Sequence, residues 1–251
     1  MKHNFRQRLL EGQRLIGTVV SLNSPEVIEI LVKAGFDWLF IDAEHSPLDA
    51  GALQRLLQAA GSQFPCVIRI PDHAEISIKR ALDMGAAGII VPQVNSAEQA
   101  EKIVGYAKYA PRGSRGVGLA RAHGYGFDLD EYIGRANDST AVIVQAEHIR
   151  AVENIREIAS VKGVDAVLVG PYDLTASMGI IGQVTDPEVT AAIDTVTAAC
   201  TQLGVRLGIF GLSANAVENY ARSGYTLLTV GIDAVLLGQA ARNTVDQVKQ
   251  H

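Results

Sequence analysis

Short apolar runs alternate with longer stretches of helical periodicity along nearly the whole chain. The first run spans Ile16 to Leu22. Ser24, Pro25 and Glu26 then open a helix as a cap, a first-position proline and a first-turn acid do. That helix presents Val27, Ile28, Ile30, Leu31 and Ala34 and stops at Gly35. The second run, Trp38 to Ile41, closes on Asp42-Ala43-Glu44-His45, and its helix carries Leu53, Leu56, Leu57 and Ala60. The third, Cys66 to Ile70, closes on Pro71 and is followed by Ile76, Ile78 and Leu82; the fourth, Gly88 to Val91, closes on Pro92-Gln93 before a helix from Ser96 to Tyr106. After an irregular Gly/Arg stretch from Pro111 to Phe127, and a short helix from Asp128 to Ala136, the alternation resumes. Runs five to eight are Ala141–Gln145, Ala166–Val169, Arg206–Phe210 and Leu227–Gly231, with a last helix from about Ala234 to the C-terminus.

The runs are continuous rather than alternating in polarity, the pattern of strands buried on both faces of a parallel sheet. Eight βα units with no linker between them predict an α/β protein, a closed (β/α)8 TIM barrel. One domain covers 1–251 in this reading, with a short N-terminal helix and an extended C-terminal helix. The alternative is an open doubly wound sheet, which usually carries a glycine-rich phosphate loop after its first strand. Here that turn reads Ser21-Leu22-Asn23-Ser24-Pro25-Glu26, without glycine.

Composition narrows the function classes. Of 251 residues 48% are hydrophobic, enough for a sizeable core. The net charge of −5 leaves no basic footprint for nucleic acid. No apolar run reaches the roughly 18 residues of a membrane span. The N-terminal residues lack a signal-peptide pattern, so a cytoplasmic protein is expected. The two cysteines, Cys66 and Cys200, have no metal or redox spacing and suit a reducing compartment.

In a barrel the chemistry lies at the C-terminal ends of the strands. Asp42, Glu44 and His45 end run two, Arg69 lies near the end of run three and Gln93 ends run four. Gln145 and Glu147 end run five, Asp173 follows run six and Phe210 ends run seven. Taken singly, Glu147 and Asp173 read as helix caps, His45 as a hydrogen-bonded structural histidine and Arg69 as an ion-pair partner. Together they are harder to explain structurally, because a buried arginine needs a partner or a ligand. Glu147 and Asp173 close adjacent strands, about 4.8 Å apart in a parallel sheet, and both can reach one hard cation. Two protein oxygens leave positions for water and substrate, as magnesium-type sites do. No zinc-type ligand set occurs. Gly170-Pro171-Tyr172-Asp173 enters a helix whose first N–H groups suit a substrate carboxylate. A 2-oxo acid fits this arrangement. No lysine falls in a strand, since Lys79, Lys102, Lys108 and Lys162 lie on helices or loops, which disfavours a Schiff-base mechanism.

The segment Gly35-Phe36-Asp37-Trp38-Leu39-Phe40-Ile41-Asp42-Ala43-Glu44-His45-Ser46-Pro47 closely resembles the second-strand signature of the class II pyruvate aldolases of the 4-hydroxy-2-oxoheptanedioate aldolase/citrate lyase family. Val67-Ile68-Arg69, Pro111-Arg112-Gly113-Ser114-Arg115-Gly116-Val117-Gly118, Val144-Gln145-Ala146-Glu147 and Gly170-Pro171-Tyr172-Asp173-Leu174-Thr175-Ala176-Ser177-Met178-Gly179 resemble further family motifs, in family order. The resemblance implies a phosphoenolpyruvate/pyruvate-type barrel that cleaves 4-hydroxy-2-oxo acids reversibly to pyruvate and an aldehyde, in the catabolism of aromatic compounds or sugar acids. It implies a divalent metal, magnesium, manganese or cobalt, on Glu147 and Asp173. Arg69 matches the residue that stabilises the enolate oxygen, His45 the base and Asp42 the acid that orients it. Glu44 resembles a supporting acid. Gln145, Gly170, Pro171, Tyr172 and Phe210 are candidate substrate contacts, and Arg121 and His123 candidate aldehyde-side residues. The family is typically a homohexamer, a trimer of dimers exchanging the last helix. Departures from the family pattern fall at Ala43, Ser46, the 119–126 loop, His148 and Phe210, and leave the aldehyde open. Two other readings stand beside this one. They are a citrate-lyase-like or acyl-CoA-directed lyase with the same enolate chemistry, and a non-catalytic barrel.

Overall fold

The computed structural model describes residues 4–249. In chain order the elements are α1 (Phe5–Leu10), β1 (Leu15–Val20), α2 (Pro25–Ala34), β2 (Trp38–Asp42), α3 (Ala50–Ala60), β3 (Cys66–Arg69), α4 (Glu75–Asp83), β4 (Gly88–Val91) and α5 (Ala97–Ala107). A 3-10 segment (Arg121–Gly126) leads to α6 (Leu129–Ser139), β5 (Ala141–Ala146), α7 (Ile149–Glu153), α8 (Ile155–Ser160), β6 (Ala166–Val169) and α9 (Pro171–Ser177). The remainder is α10 (Pro187–Leu203), β7 (Arg206–Gly211), α11 (Ala214–Arg222), β8 (Leu227–Ile232) and α12 (Asp233–Lys249). The expected course of the last helix to the C-terminus ends, for its final two residues, outside the described ones.

The strands form one closed parallel barrel in the order β1 to β8, with β8 pairing back onto β1. The open-sheet alternative is thereby excluded. The reason the strands read as continuous apolar runs is visible on β2. Trp38 and Phe40 join the cluster inside the barrel, whereas Leu39 and Ile41 join the layer under the helices. Successive side chains of a strand point to opposite faces, and here both faces are dry. Two connections differ from the one-helix-per-strand expectation. After β5 the helix breaks at Asn154 into α7 and α8, and after β6 the short α9 precedes the long α10, which Asp186 caps through the Glu188 N–H.

One end of the barrel is closed by hydrocarbon. Phe5 and Leu9 of α1 pack beneath the strand starts with Leu15 and Trp38, and the Phe5 and Trp38 rings lie 5.6 Å apart. Gly17 makes room for the indole, because a Cβ there would come within 2.5 Å of Trp38. The other end is open and polar. The C-terminal helix behaves differently from the rest. In α12 only Asp233 is buried, and Leu237 and Val248 are 63% and 72% exposed. The Asp233 carboxylate accepts from the backbone N–H groups of Ser21, Leu22 and Ala234 and from the Ser21 hydroxyl, which fastens the helix start to the β1 turn. Among the described residues no helix is long and apolar enough to cross a membrane.

Candidate active site

The open end holds a cavity of about 220 Å³. That is below the roughly 300–1,000 Å³ of drug-sized pockets and suits a small acid. Asp42, His45, Arg69, Gln145, Gly170, Pro171, Tyr172, Asp173 and Phe210 line it, so most of the residues singled out in the sequence converge here. Val19, Phe40, Leu168 and Ile232 also line it. Sequence reasoning missed these four because they look like core. The signal was in the register, since Phe40 and Leu168 precede Asp42 and Gly170 by two residues and so share their inward face.

Arg69 is the best-fixed charge. β2 and β3 pair with Asp42 opposite Arg69. The guanidinium donates to Asp42 through Nε at 2.8 Å and Nη2 at 2.7 Å, and its carbon lies 5.2 Å from the centre of the Phe40 ring. Glu44 Oε2 is 3.3 Å from Nε. Burial works against the Asp42 carboxylate, but Arg69 and the N–H groups of Glu44 and His45 outweigh it and hold its pKa below the usual value. This corrects one expectation. The Asp42 side chain orients Arg69, not the His45 imidazole, because both its oxygens are taken by the guanidinium and the two amides. The carboxylate next to the His45 ring is Glu44, with Oε2 3.6 Å from Nε2. The His45 side chain is 63% exposed at the mouth of the cavity. Burial raises the Glu44 pKa, against the pull of Arg69 and His45.

Glu147 lies deeper. Its Oε1 accepts from the Gln93 backbone N–H at 2.8 Å and its Oε2 from Gln145 Nε2 at 2.6 Å. Gly170 is required beside it, since a Cβ at that position would approach Oε2 to 2.8 Å. Burial pushes the Glu147 carboxyl up to about 7; the Gln93 amide opposes this, and the nearby charges of Asp173 and Glu44 add to it. Glu147 is buried, whereas Asp173 is exposed at the rim, and a cation between the two would relieve the repulsion that each adds to the other. The Gln145 Oε1 atom is buried without a partner and is free to accept from a ligand or a bound water. Among the described residues no group of three or more His, Cys, Asp or Glu side chains could hold a metal. Glu147 and Asp173 could offer two carboxylates to a hard divalent cation that keeps water and substrate oxygens in its other positions.

Arg121 and His123 do not line the cavity, a second correction. Arg121 donates to the backbone carbonyls of Met84 and Leu57 at the outer ends of α4 and α3. His123 is fully buried, with Nε2 2.8 Å from the Tyr109 hydroxyl and its ring 4.6 Å from Tyr132. Both side chains are consumed in pinning the Gly/Arg stretch to the outside of the barrel. Arg115 does the same, buried between Tyr109 and Tyr132 and paired with Asp83 at 2.7 Å. His148, the residue after Glu147, caps α7 by accepting from the Arg150 N–H.

A closed (β/α)8 barrel that gathers an arginine, a histidine and several carboxylates at its C-terminal rim has the layout of a barrel enzyme's active site. The chain belongs to the HpcH/HpaI aldolase/citrate lyase family, which it matches over residues 15–240. It is 37% identical to the hydroxypyruvate/pyruvate aldolase of Roseovarius nubinhibens over 97% of this chain and 95% of that one. It is 36% identical to the 4-hydroxy-2-oxo-heptane-1,7-dioate aldolase of Shigella sonnei over 96% of this chain and 93% of that one. The crystal structure of a family protein from Burkholderia cenocepacia superposes with a TM-score of 0.94 at 37% identity, covering 97% of this chain and 98% of that one. The protein is a carbon–carbon lyase of that family.

Proposed function

We propose that this protein is a divalent-metal-dependent aldolase that cleaves 4-hydroxy-2-oxo acids reversibly to pyruvate and an aldehyde. The observation that carries the reading is the rim itself, where Arg69, locked by Asp42, shares a small cavity with Gln145 and Asp173, beside the buried Glu147. Glu147 and Asp173 would hold magnesium, manganese or cobalt. A bound cation of this kind acts as a Lewis acid that stabilises negative charge developing on the substrate's 2-oxo oxygen.

The protein's own groups do the rest. The Asp42 pair occupies the Nε and Nη2 edge of Arg69, leaving Nη1 to donate to the 2-oxo oxygen as charge grows there. His45 takes the proton of the C4 hydroxyl as the C3–C4 bond breaks and the aldehyde forms. Its exposed ring exchanges that proton with solvent, and a solvent-derived proton added at C3 of the enolate completes the pyruvate methyl. Glu44 supports the protonated imidazole. Peptide N–H groups at the start of α9, behind Gly170 and Pro171, receive the substrate carboxylate. Val19, Phe40, Leu168 and Ile232 give the substrate carbons an apolar wall at the bottom of the cavity. Tyr172 and Phe210, whose rings lie 6.4 Å apart, form the aldehyde-side wall.

The chain acts as one barrel domain, in a homo-oligomer that exchanges α12 between subunits, a hexamer by family habit. The exposed apolar positions Leu236, Leu237, Val245 and Val248 support the exchange, because a helix packed on its own barrel would bury them. The buried free thiols Cys66 and Cys200 suit the cytoplasm.

Exchange of the methyl protons of pyruvate in D2O tests the reading without knowledge of the aldehyde. Exchange is expected with at least one of Mg2+, Mn2+ and Co2+, and not in Arg69→Ala. Absence of exchange, together with no pyruvate release from short 4-hydroxy-2-oxo acids under all three ions, would sink the proposal.

A further inference from the structure

The turn after β4 carries a strained residue whose side chain does nothing for the site. Gln93 has φ +52° and is one of two non-glycine residues with positive φ among the described ones. That conformation costs roughly 1–3 kcal/mol and persists only where the surroundings impose it. Its side chain is exposed. Its backbone N–H is the donor to Glu147 Oε1 at 2.8 Å.

The surroundings that impose it are equally specific. The other end of the same peptide unit, the Pro92 carbonyl, accepts a 2.6 Å hydrogen bond from His73 Nε2 in the β3–α4 connection. A carbonyl oxygen only accepts, so His73 carries its proton on Nε2. The Pro92–Gln93 peptide is trans, and its C=O and N–H point to opposite sides. One peptide unit thus links imidazole to carboxylate in a continuous chain, from His73 through Pro92 and Gln93 to Glu147. Hydrogen bonds in series polarise one another. Beyond Gln93 the turn is fastened again. Val94 is buried, the Asn95 N–H donates to Gln99 Oε1 at 2.7 Å and the Asn95 carbonyl accepts from Asn154 at 2.8 Å.

We propose that His73, acting through the Pro92–Gln93 peptide, is a positioning residue for the metal-binding carboxylate Glu147. The proposal rests on Glu147 holding the metal. Groups that orient metal ligands from behind commonly contribute about 10–100-fold to metal affinity. His73 touches neither substrate nor cation in this reading. It fixes where the Gln93 N–H points, and that N–H fixes one carboxylate oxygen while leaving the other lone pairs to the cation.

The test is Mn2+ affinity of the substrate-free protein by calorimetry, beside thermal unfolding of the metal-free protein. His73→Ala is expected to weaken Mn2+ binding about 10–100-fold. His73→Gln, whose amide can still donate to Pro92, should restore it to within a few-fold. Gln93→Gly keeps the N–H and accepts positive φ, so it should bind like the wild type. Gln93→Val, which resists that φ, should weaken binding as His73→Ala does. Unchanged Mn2+ affinity in both His73→Ala and Gln93→Val, with binding lost in Glu147→Gln, overturns the positioning role and leaves the metal site standing. Unchanged affinity in Glu147→Gln overturns the metal assignment and this inference with it.

Discussion

The two ends of the barrel are built from the same eight strands and could hardly differ more in chemistry. At the strand starts, Phe5, Leu9, Leu15 and Trp38 close the interior with hydrocarbon. At the strand ends, Asp42, Arg69, Gln145 and Glu147 are buried or nearly so, and one of their polar atoms, Gln145 Oε1, lacks a partner. The first end has every feature of a stabilising core. The second keeps buried charge and an unmet hydrogen bond, both costly without a ligand. Stability and function are thus separated along the strand axis, and substitutions at the two ends should separate in the same way.

The largest effect is expected at the open end. Asp173→Ala should lower kcat/KM by about 10⁴-fold, on the order of 5 kcal/mol of transition-state stabilisation, and abolish metal binding together with activity. Retained Mn2+ affinity by calorimetry would remove its role as a ligand. Next comes the closed end. Trp38→Ala should cost about 3–5 kcal/mol in denaturant unfolding while kcat per folded molecule stays near wild type. A large fall in kcat with unchanged stability would erase the distinction between the ends. Arg69→Ala should reduce kcat by about 10²–10³-fold, roughly 3–4 kcal/mol, with the fold intact by circular dichroism. Asp42→Asn should act in the same direction more weakly, since it loosens the guanidinium without removing it.

The smallest effect is a pH dependence. In the metal-free protein Glu147 titrates near 7 rather than at its ordinary 4.5. Between those values the folded state keeps a proton that the unfolded chain has released. The contribution to stability is therefore fully present below about pH 4.5 and lost as pH rises through 7, by about 3 kcal/mol. Denaturant unfolding of metal-free Glu147→Gln against the wild type at pH 4.5 and 8 measures it. The variant should gain relative stability at the higher pH, and a pH-independent difference would place the carboxylate in a more solvated setting than its burial indicates. Added Mn2+ should reverse the wild-type loss, because a bound cation holds the carboxylate ionised.

Much of this was legible in the chain itself. Continuous apolar runs determined the parallel barrel, because only strands covered on both faces need to be apolar at successive positions. The polar residues that interrupt the ends of those runs determined which rim would be reactive. Ser24, Pro25 and Ser96 marked their helix starts through purely local hydrogen bonding and sterics, and each is observed as a start. Tertiary structure alone decided the partnerships. Asp42 pairs with Arg69 because β2 and β3 meet in that register, a relation between residues 27 apart that no local spacing encodes. Arg121 and His123 turned away from the cavity because Met84 and Leu57, far along the chain, offered carbonyls to Arg121 and the nearby Tyr109 and Tyr132 offered their hydroxyl and ring to His123. The Gln93 backbone and His73 had no sequence signature at all, because a peptide N–H looks the same at every position until the fold aims it. Periodicity records what each residue must bury, and the identity of its partner depends on where the closed sheet brings the chain together.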